Sequence, residues 1–260
     1  MENGLLVKVE GAVATLRLTR PQVHNALDDS LIANLTQAFQ KLGVAEAVRV
    51  IVLEAEGRSF CAGLDVSWVK RGADQSREDG QRDAMQLAVM VDAIDRCPKP
   101  VIALVQGAAL GGGVGLVAAA DIAIAAEEAS FALTEVRLGL EATIIGPQVI
   151  AAMGARASRR YWLTGERFDA REAFHTGLVH AVVAADKLAE ARDRIVESCL
   201  KGAPAAIAGS KEAIRLLSEA ETGPDLMRLI AHRFADCRQG DEAKEGVASF
   251  LEKRKPSWSV

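Results

Sequence analysis

Aromatic side chains are scarce, with three Trp, one Tyr and seven Phe among 260 residues. A core must therefore be built from Ala, Val, Leu and Ile, which the 50% hydrophobic composition can supply. Cysteine is sparse as well. Cys61, Cys97, Cys199 and Cys237 stand far apart, with no C-x-x-C and no metal-ligand spacing, so reduced thiols and no metal site are expected. Positive charge is not in excess: 31 Lys and Arg against 35 Asp and Glu leave a net charge of −4. That balance speaks against nucleic acid or an anionic membrane as the main partner, while local charge could still hold a small acidic ligand. No apolar run reaches the roughly 18 residues of a membrane span, because glycines and Asp121 interrupt 101–106 and 114–126. The segment "MENGLLVKVEGAVATLRLTRP" carries acids and no long apolar core, so no signal peptide and a cytoplasmic location are expected.

Up to about residue 185 the chain alternates strand-like and helix-like segments. "LLVKVEGAVATLRLTR" holds two alternating runs meeting at Glu10-Gly11, which predicts a hairpin. "ALDDSLIANLTQAFQKLG" spaces Leu27, Leu31, Leu35, Ala38 and Leu42 as a helix does, with acids in its first turn. "VRVIVLEAEG", "VIALVQG", "DIAIAA" and "LVHAVV" read as strands, with helices predicted over about 82–96, 112–120, 143–153, 156–163 and 169–176. After Asp186 four amphipathic segments follow, punctuated by Gly202-Ala203-Pro204 and Gly223-Pro224. The expectation is an α/β core over 1–185 and a helical region over 186–260, with no flexible linker between them.

"VIALVQGAALGGGVGLVAAADIAIAAEEA" (101–129) places Gly111, Gly112, Gly113 and Gly115 directly after a strand. A P-loop is excluded, since Leu116 and Val117 follow Gly115 where Lys and Ser or Thr are required. Gly113-Val-Gly115-Leu-Val-Ala118 fits a dinucleotide fingerprint, but too few residues separate Ala118 from "IAIAA" for a crossover helix. The third reading is an oxyanion hole. Unpaired N–H groups at a helix start can meet an acyl oxygen, and glycine removes the Cβ in the way. A second donor loop is then needed, and "GRSFCAGLDVSW" (57–68) is the candidate. Taken singly, either loop is also a plain strand-to-helix turn.

Together, Ser59-Phe60-Cys61-Ala62-Gly63-Leu64-Asp65 and Gly107-Ala-Ala-Leu-Gly111-Gly112-Gly113 resemble the crotonase (enoyl-CoA hydratase/isomerase) superfamily. "RPQVHNAL" (20–27) and "FLEKRKPSW" (250–258) look like two further elements of that family, so the resemblance spans the chain. It implies a spiral core of ββα turns and C-terminal helices that assemble trimers, often paired as hexamers. It implies an acyl-CoA thioester as substrate, with coenzyme A part of that substrate and no separate cofactor. The N–H groups of Leu64 and Gly112 would form the oxyanion hole. Gln22, Val23, His24, Ala62, Asp65 and Val66 match positions that line CoA in relatives, and Phe250 and Lys253 match residues lent to it.

Hydratases of the family commonly use two glutamates. Glu135 in "SFALTEVRLGL" stands at the second position, although a surface residue at a loop–helix junction is the plainer reading of such a Glu. The first position is Gly115, which has no side chain. Ala142 and Thr143 replace a usual proline and glycine, and Thr143 stands where dienoyl-CoA isomerases carry an aspartate. Glu141 is an unexpected second acid nearby, with a solvated helix-start residue as its plainer reading. The segment from Glu135 looks closest to 3-methylglutaconyl-CoA and isohexenylglutaconyl-CoA hydratases. A carboxylated substrate of that kind would want a cation from Lys70, Arg71, Arg77 or Arg137. Hydration is the leading expectation and double-bond isomerisation by the single glutamate the alternative. A non-catalytic CoA- or RNA-binding role and a nicotinamide-dependent oxidoreductase stand further off. Cys61 reads as a packing residue, Ser59 lacks a nucleophile elbow, and His175, His180 and His232 lack partner spacing.

Overall fold

The computed structural model describes residues 4–259; positions 1–3 and 260 of the two predicted regions lie outside it. In chain order the elements begin with β1 (Leu5–Glu10), β2 (Val13–Leu18), α1 (Asp29–Val44), β3 (Val50–Ala55) and β4 (Ser59–Cys61). Next come α2 (Val66–Asp74), α3 (Arg77–Asp95), β5 (Val101–Val105), β6 (Ala108–Leu110) and α4 (Gly112–Ala119). β7 (Ile122–Ala126), β8 (Ser130–Ala132), α5 (Gly146–Thr164), β9 (Phe168–Asp169), α6 (Ala170–His175) and β10 (Ala181–Val183) complete the α/β part. The chain closes with α7 (Leu188–Lys201), α8 (Pro204–Glu219), α9 (Pro224–Gln239) and α10 (Asp241–Leu251).

The strands form a six-stranded sheet in the order β1-β2-β3-β5-β7-β10 and a four-stranded sheet in the order β4-β6-β8-β9. Three successive strand pairs, β3/β4, β5/β6 and β7/β8, each give one strand to each sheet before the chain enters a helix. This is the expected ββα spiral. The β1/β2 hairpin is antiparallel, whereas β2, β3, β5, β7 and β10 run parallel.

Parallel strands covered on both faces read as continuous apolar runs. In β3, Ile51 and Leu53 join the main core while Val50 and Val52 join a second cluster, because successive side chains point to opposite faces. Leu188, Ala191 and Val196 of α7 close that second face. α4 is apolar on all sides and, apart from Ala118, wholly buried, so it forms the central rod of the core. Phe39, Phe60, Phe131 and Tyr161 are the largest fully buried side chains, whereas Phe174, Phe234 and Phe250 are exposed.

Three expectations need correction. The second sheet was not predicted, because its strands are two or three residues long and show no periodicity. The two helices predicted at 143–153 and 156–163 are both present along α5, separated by non-helical backbone at Gly154, where φ is +72°, but the first starts at Gly146, because Thr143–Ile145 form a 3-10 turn. The helix predicted from 82 starts at Arg77, after Ser76 caps it by accepting a hydrogen bond from Asp79 N–H.

Candidate active site

The motif around residue 20 is first a structural clamp. Asn25 is fully buried; its Nδ2 donates to the carbonyls of Glu56 and Ser59, both at 2.9 Å, and its Oδ1 accepts from Arg20 N–H at 2.8 Å. Arg20 donates to Ala26 O and pairs with Asp28 at 2.7 Å and Asp65 at 3.6 Å. Leu27 bridges Leu64, with Leu27 N–H donating to Gly63 O and Asp65 N–H to Leu27 O. Asp65 also caps α2, accepting from Ser67 N–H, and these hydrogen bonds from Ser67, with Arg20 nearby, hold its carboxyl below the usual range. The loop bearing Leu64 is thus held from both sides.

That loop meets the glycine triplet. A Cβ placed on Gly63 would lie 3.4 Å from Gly112 N, and one on Gly112 would lie 3.8 Å from Gly63 Cα. Gly113 packs so tightly on β4 that a Cβ there would come within 2.2 Å of Cys61 O. Gly111 adopts φ +49°, in the left-handed region, and turns the chain into α4. Among the described residues, neither Leu64 N–H nor Gly112 N–H has a protein acceptor. Gly112 is the first residue of α4, where N–H groups carry the positive end of the helix dipole.

Glu135 starts a short 3-10 turn, Glu135–Leu138, directly after β8. A Cβ on Gly111 would stand 2.7 Å from Glu135 Oε1, so the carboxylate rests against the triplet. Oε2 is buried and has no hydrogen-bond partner. Burial pushes the Glu135 carboxyl above its ordinary value. A carboxylate tuned upward beside two aimed N–H donors can take a proton and return it next to a carbonyl whose oxygen those donors hold.

The position of the missing glutamate is filled. A Cβ on Gly115 would lie 2.2 Å from Ile145 Cγ2, so the isoleucine occupies the volume a side chain at 115 would need. Ala142 is buried just before it, whereas Glu141 is exposed and has no hydrogen bond or ion pair to Glu135 or the glycine loops. Cys61 is buried and its thiol is pushed up to about 12, which leaves it protonated and inert. Ser59 accepts from or donates to His24 Nδ1 at 3.0 Å and has no nucleophile geometry. His180 is structural: its Nδ1 accepts from Ala123 N–H. Among the described residues no cluster of three His, Cys, Asp or Glu could hold a metal ion, and no helix is long and apolar enough to cross a membrane.

Gln22 and Val23 lie in the exposed turn Pro21–Val23, and His24, Ala62, Asp65 and Val66 lie around the two clamped loops. A cavity of about 480 Å³ is lined by residues that include His24, Arg58, Ala62, Leu110, Ser130 and Arg167. Leu110 immediately precedes the triplet, so this cavity borders it. Phe250, 82% exposed on α10, and Lys253 beyond it make no hydrogen bond or ion pair with these residues. Of the four candidate cations, Arg71 is held by Asp29 and Asp83, Arg137 packs beside Gly165, and Lys70 and Arg77 are exposed.

The double glycine loop, its spiral scaffold and the carboxylate between them define an acyl-CoA enzyme of the crotonase type. Residues 8–260 match the family model described as enoyl-CoA hydratase/isomerase, and the chain belongs to that family. It is 38% identical to an enoyl-CoA hydratase from Shewanella pealeana of known structure, with a TM-score of 0.95 over 98% of this chain and 96% of that one. It is 33% identical to the enoyl-CoA hydratase ACTT6 of Alternaria alternata, over 95% of this chain and 81% of that protein. It is 32% identical to the carnitinyl-CoA dehydratase of Proteus mirabilis, over 99% of both chains.

Proposed function

We propose that this protein adds water across the double bond of a 2-enoyl-CoA, with Glu135 as the single acid/base. Glu135 takes a proton from water, and the hydroxyl oxygen bonds to the β-carbon. The electron pair of the double bond moves to the thioester oxygen, where Leu64 N–H and Gly112 N–H stabilise the enolate. Glu135 then returns its proton to the α-carbon on the same face, a syn addition. The carrying observation is the contact of the half-buried Glu135 carboxylate, whose Oε2 is buried without a hydrogen-bond partner, with the loop whose N–H donors are unpaired. The names of the relatives, a hydratase and a dehydratase, agree with movement of water.

The glycine at 115 favours a second reading. With one carboxylate, the same proton shuttle between two carbons would be an enoyl-CoA isomerisation needing no water. A branched or carboxylated acyl group, as in 3-methylglutaconyl-CoA, is our preferred substrate class within hydration; Lys70, Arg77 and Arg137 remain as its cations, since carboxylates already neutralise Arg71. We also propose a cytoplasmic homotrimer or dimer of trimers, because Ile214, Met227 and Phe234 of α8 and α9 are each at least 66% exposed. A subunit contact of that kind would bring cover to Phe250 and Lys253 near bound CoA.

Turnover against crotonyl-CoA and 3-methylglutaconyl-CoA tests the reading. Loss of the conjugated thioester absorbance with formation of a hydroxyacyl-CoA is expected. A shifted double bond without oxygen gain in the product assigns the isomerase instead.

A further inference from the structure

The two unpaired donors belong to distant parts of the chain, so the gap between them must be fixed by something that touches both. Leu64 N–H belongs to the peptide unit Gly63–Leu64, and Gly112 N–H to the unit Gly111–Gly112. In a planar trans peptide the C=O and the N–H point in opposite directions, so whatever grips the carbonyl aims the N–H. Gly63 O accepts from Leu27 N–H at 2.7 Å, and Asp65 N–H donates to Leu27 O at 2.9 Å. The backbone of Leu27 thus grips Leu64 from both sides and turns its N–H away. At the second donor, Gly111 O accepts from Val114 N–H at 2.8 Å and Gly115 N–H at 3.3 Å. That carbonyl therefore points along α4, and the Gly112 N–H points out of the helix start.

Leu27 reaches this second donor with its side chain. A Cβ on Gly112 would lie 3.1 Å from Leu27 Cδ1, tighter than an ordinary contact, so the isobutyl group packs directly on Gly112. Leu27 is fully buried and belongs to the main core. Its place is fixed from both sides along the chain. Two residues before it, Asn25 is pinned to the carbonyls of Glu56 and Ser59; immediately after it, Asp28 caps α1 by accepting from Leu31 N–H at 2.8 Å. A buried leucine so held cannot be shortened without leaving a void or letting its two walls move. One wall carries the Leu64 N–H and the other the Gly112 N–H.

We propose that Leu27 is a positioning residue for the oxyanion hole: its backbone orients the Leu64 N–H, and its side chain sets the distance from there to the Gly112 N–H. This rests on the acyl-CoA reading above. Leu27 acts through the two donors and not on the thioester itself.

Leu27→Ala keeps the backbone hydrogen bonds and removes the spacer. The probe is butyryl-CoA labelled with ¹³C at its thioester carbonyl, which has no double bond to hydrate. Difference infrared spectroscopy then reads how strongly the bound carbonyl is polarised. Wild type should move the carbonyl stretch to lower frequency, and Leu27→Ala should lose more than half of that movement. On crotonyl-CoA, kcat should fall in parallel by about 10- to 100-fold with much less change in KM, because a displaced donor matters most where charge develops. Leu27→Met nearly conserves volume and should retain most of both. Leu27→Val, which is smaller by one carbon, should lie between wild type and Leu27→Ala and reads the same quantity if the alanine variant does not fold. Leu35→Ala removes an equally buried side chain on α1 from the same core, so it should melt lower than wild type yet keep the full carbonyl shift. A full shift in the folded Leu27 variants, or the same loss in Leu35→Ala, overturns the proposal. A wild type that binds the probe without shifting its carbonyl overturns the oxyanion reading, and the role of Leu27 with it.

Discussion

At the scale of the residue, Glu135 couples a buried, unpartnered oxygen to a carboxyl raised above its ordinary value of 4.5 by burial. Glu135→Gln should lower kcat by about 10²- to 10⁴-fold, the range for a general acid/base, measured as steady-state enoyl-CoA turnover. For hydration the unprotonated form acts on water, so kcat/KM should climb with pH along a limb centred above 4.5. The linkage has a definite sign. The folded state holds this proton more tightly than the unfolded chain, so the favourable contribution is complete below the unfolded pKa and is lost as pH rises through the folded one. Glu135→Gln should therefore melt higher than wild type at neutral pH, and the gap should close in acid. An unchanged melting temperature at both pH values would contradict the burial argument. Gly112→Pro removes one N–H donor at a first helical position, where proline is tolerated, and should cost about 3 kcal/mol of transition-state stabilisation. Gly112→Ala keeps the N–H, crowds the flexible end of Leu27 and makes an ordinary contact with Gly63 Cα, so it serves as the kinetic control. The glycine loops were legible because two motifs occurred together. The contact of Glu135 with Gly111 was not, since nothing in the one-dimensional pattern separates it from a surface glutamate.

At the scale of the element, α4 and the 3-10 turn Thr143–Ile145 share one volume through Gly115 and Ile145. Gly115→Ala should destabilise by about 1–3 kcal/mol, as overpacking does, measured by denaturant unfolding. Ile145→Ala should relieve part of that cost, so the pair should couple in a double-mutant cycle; additive effects would contradict the shared volume. α8 is fastened to the core by Lys211, whose Nζ donates to Asp121 Oδ2 at 2.6 Å and to Lys99 O at 3.0 Å. Lys211→Met strips the counter-charge from the half-buried Asp121 and should cost about 1–3 kcal/mol in the same measurement. The long elements were legible, because β3, β5 and β7 are continuous apolar runs and α1 has clear helical spacing and a capping Asp28. The small sheet was not, since strands of two or three residues are set by tertiary pairing rather than by local pattern. The interruption of α5 at Gly154 was legible, because a glycine in the left-handed region ends or bends a helix.

At the scale of the whole molecule, one chain leaves apolar surface uncovered on α8 and α9 and leaves Phe250 without a partner. Light scattering should therefore give a mass of three or six times 27.6 kDa, and Met227→Glu with Phe234→Glu should lower it. A wild-type monomer would contradict the trimer. The amphipathic spacing of the last four helices was legible, but the surface they bury was not, since a partner chain leaves the same periodicity as a core. The site is likewise a product of the whole fold: the clamp at Asn25, the loop at Leu64, the triplet and Glu135 come from separate parts of the chain. In the proposed reaction this assembly delivers water to an enoyl-CoA through Glu135. Turnover of an enoyl-CoA in H₂¹⁸O measures that directly. Label at the β-carbon of the wild-type product, and its near absence with Glu135→Gln, is the predicted result. Product without label, or equal labelling by both proteins, would overturn hydration through Glu135.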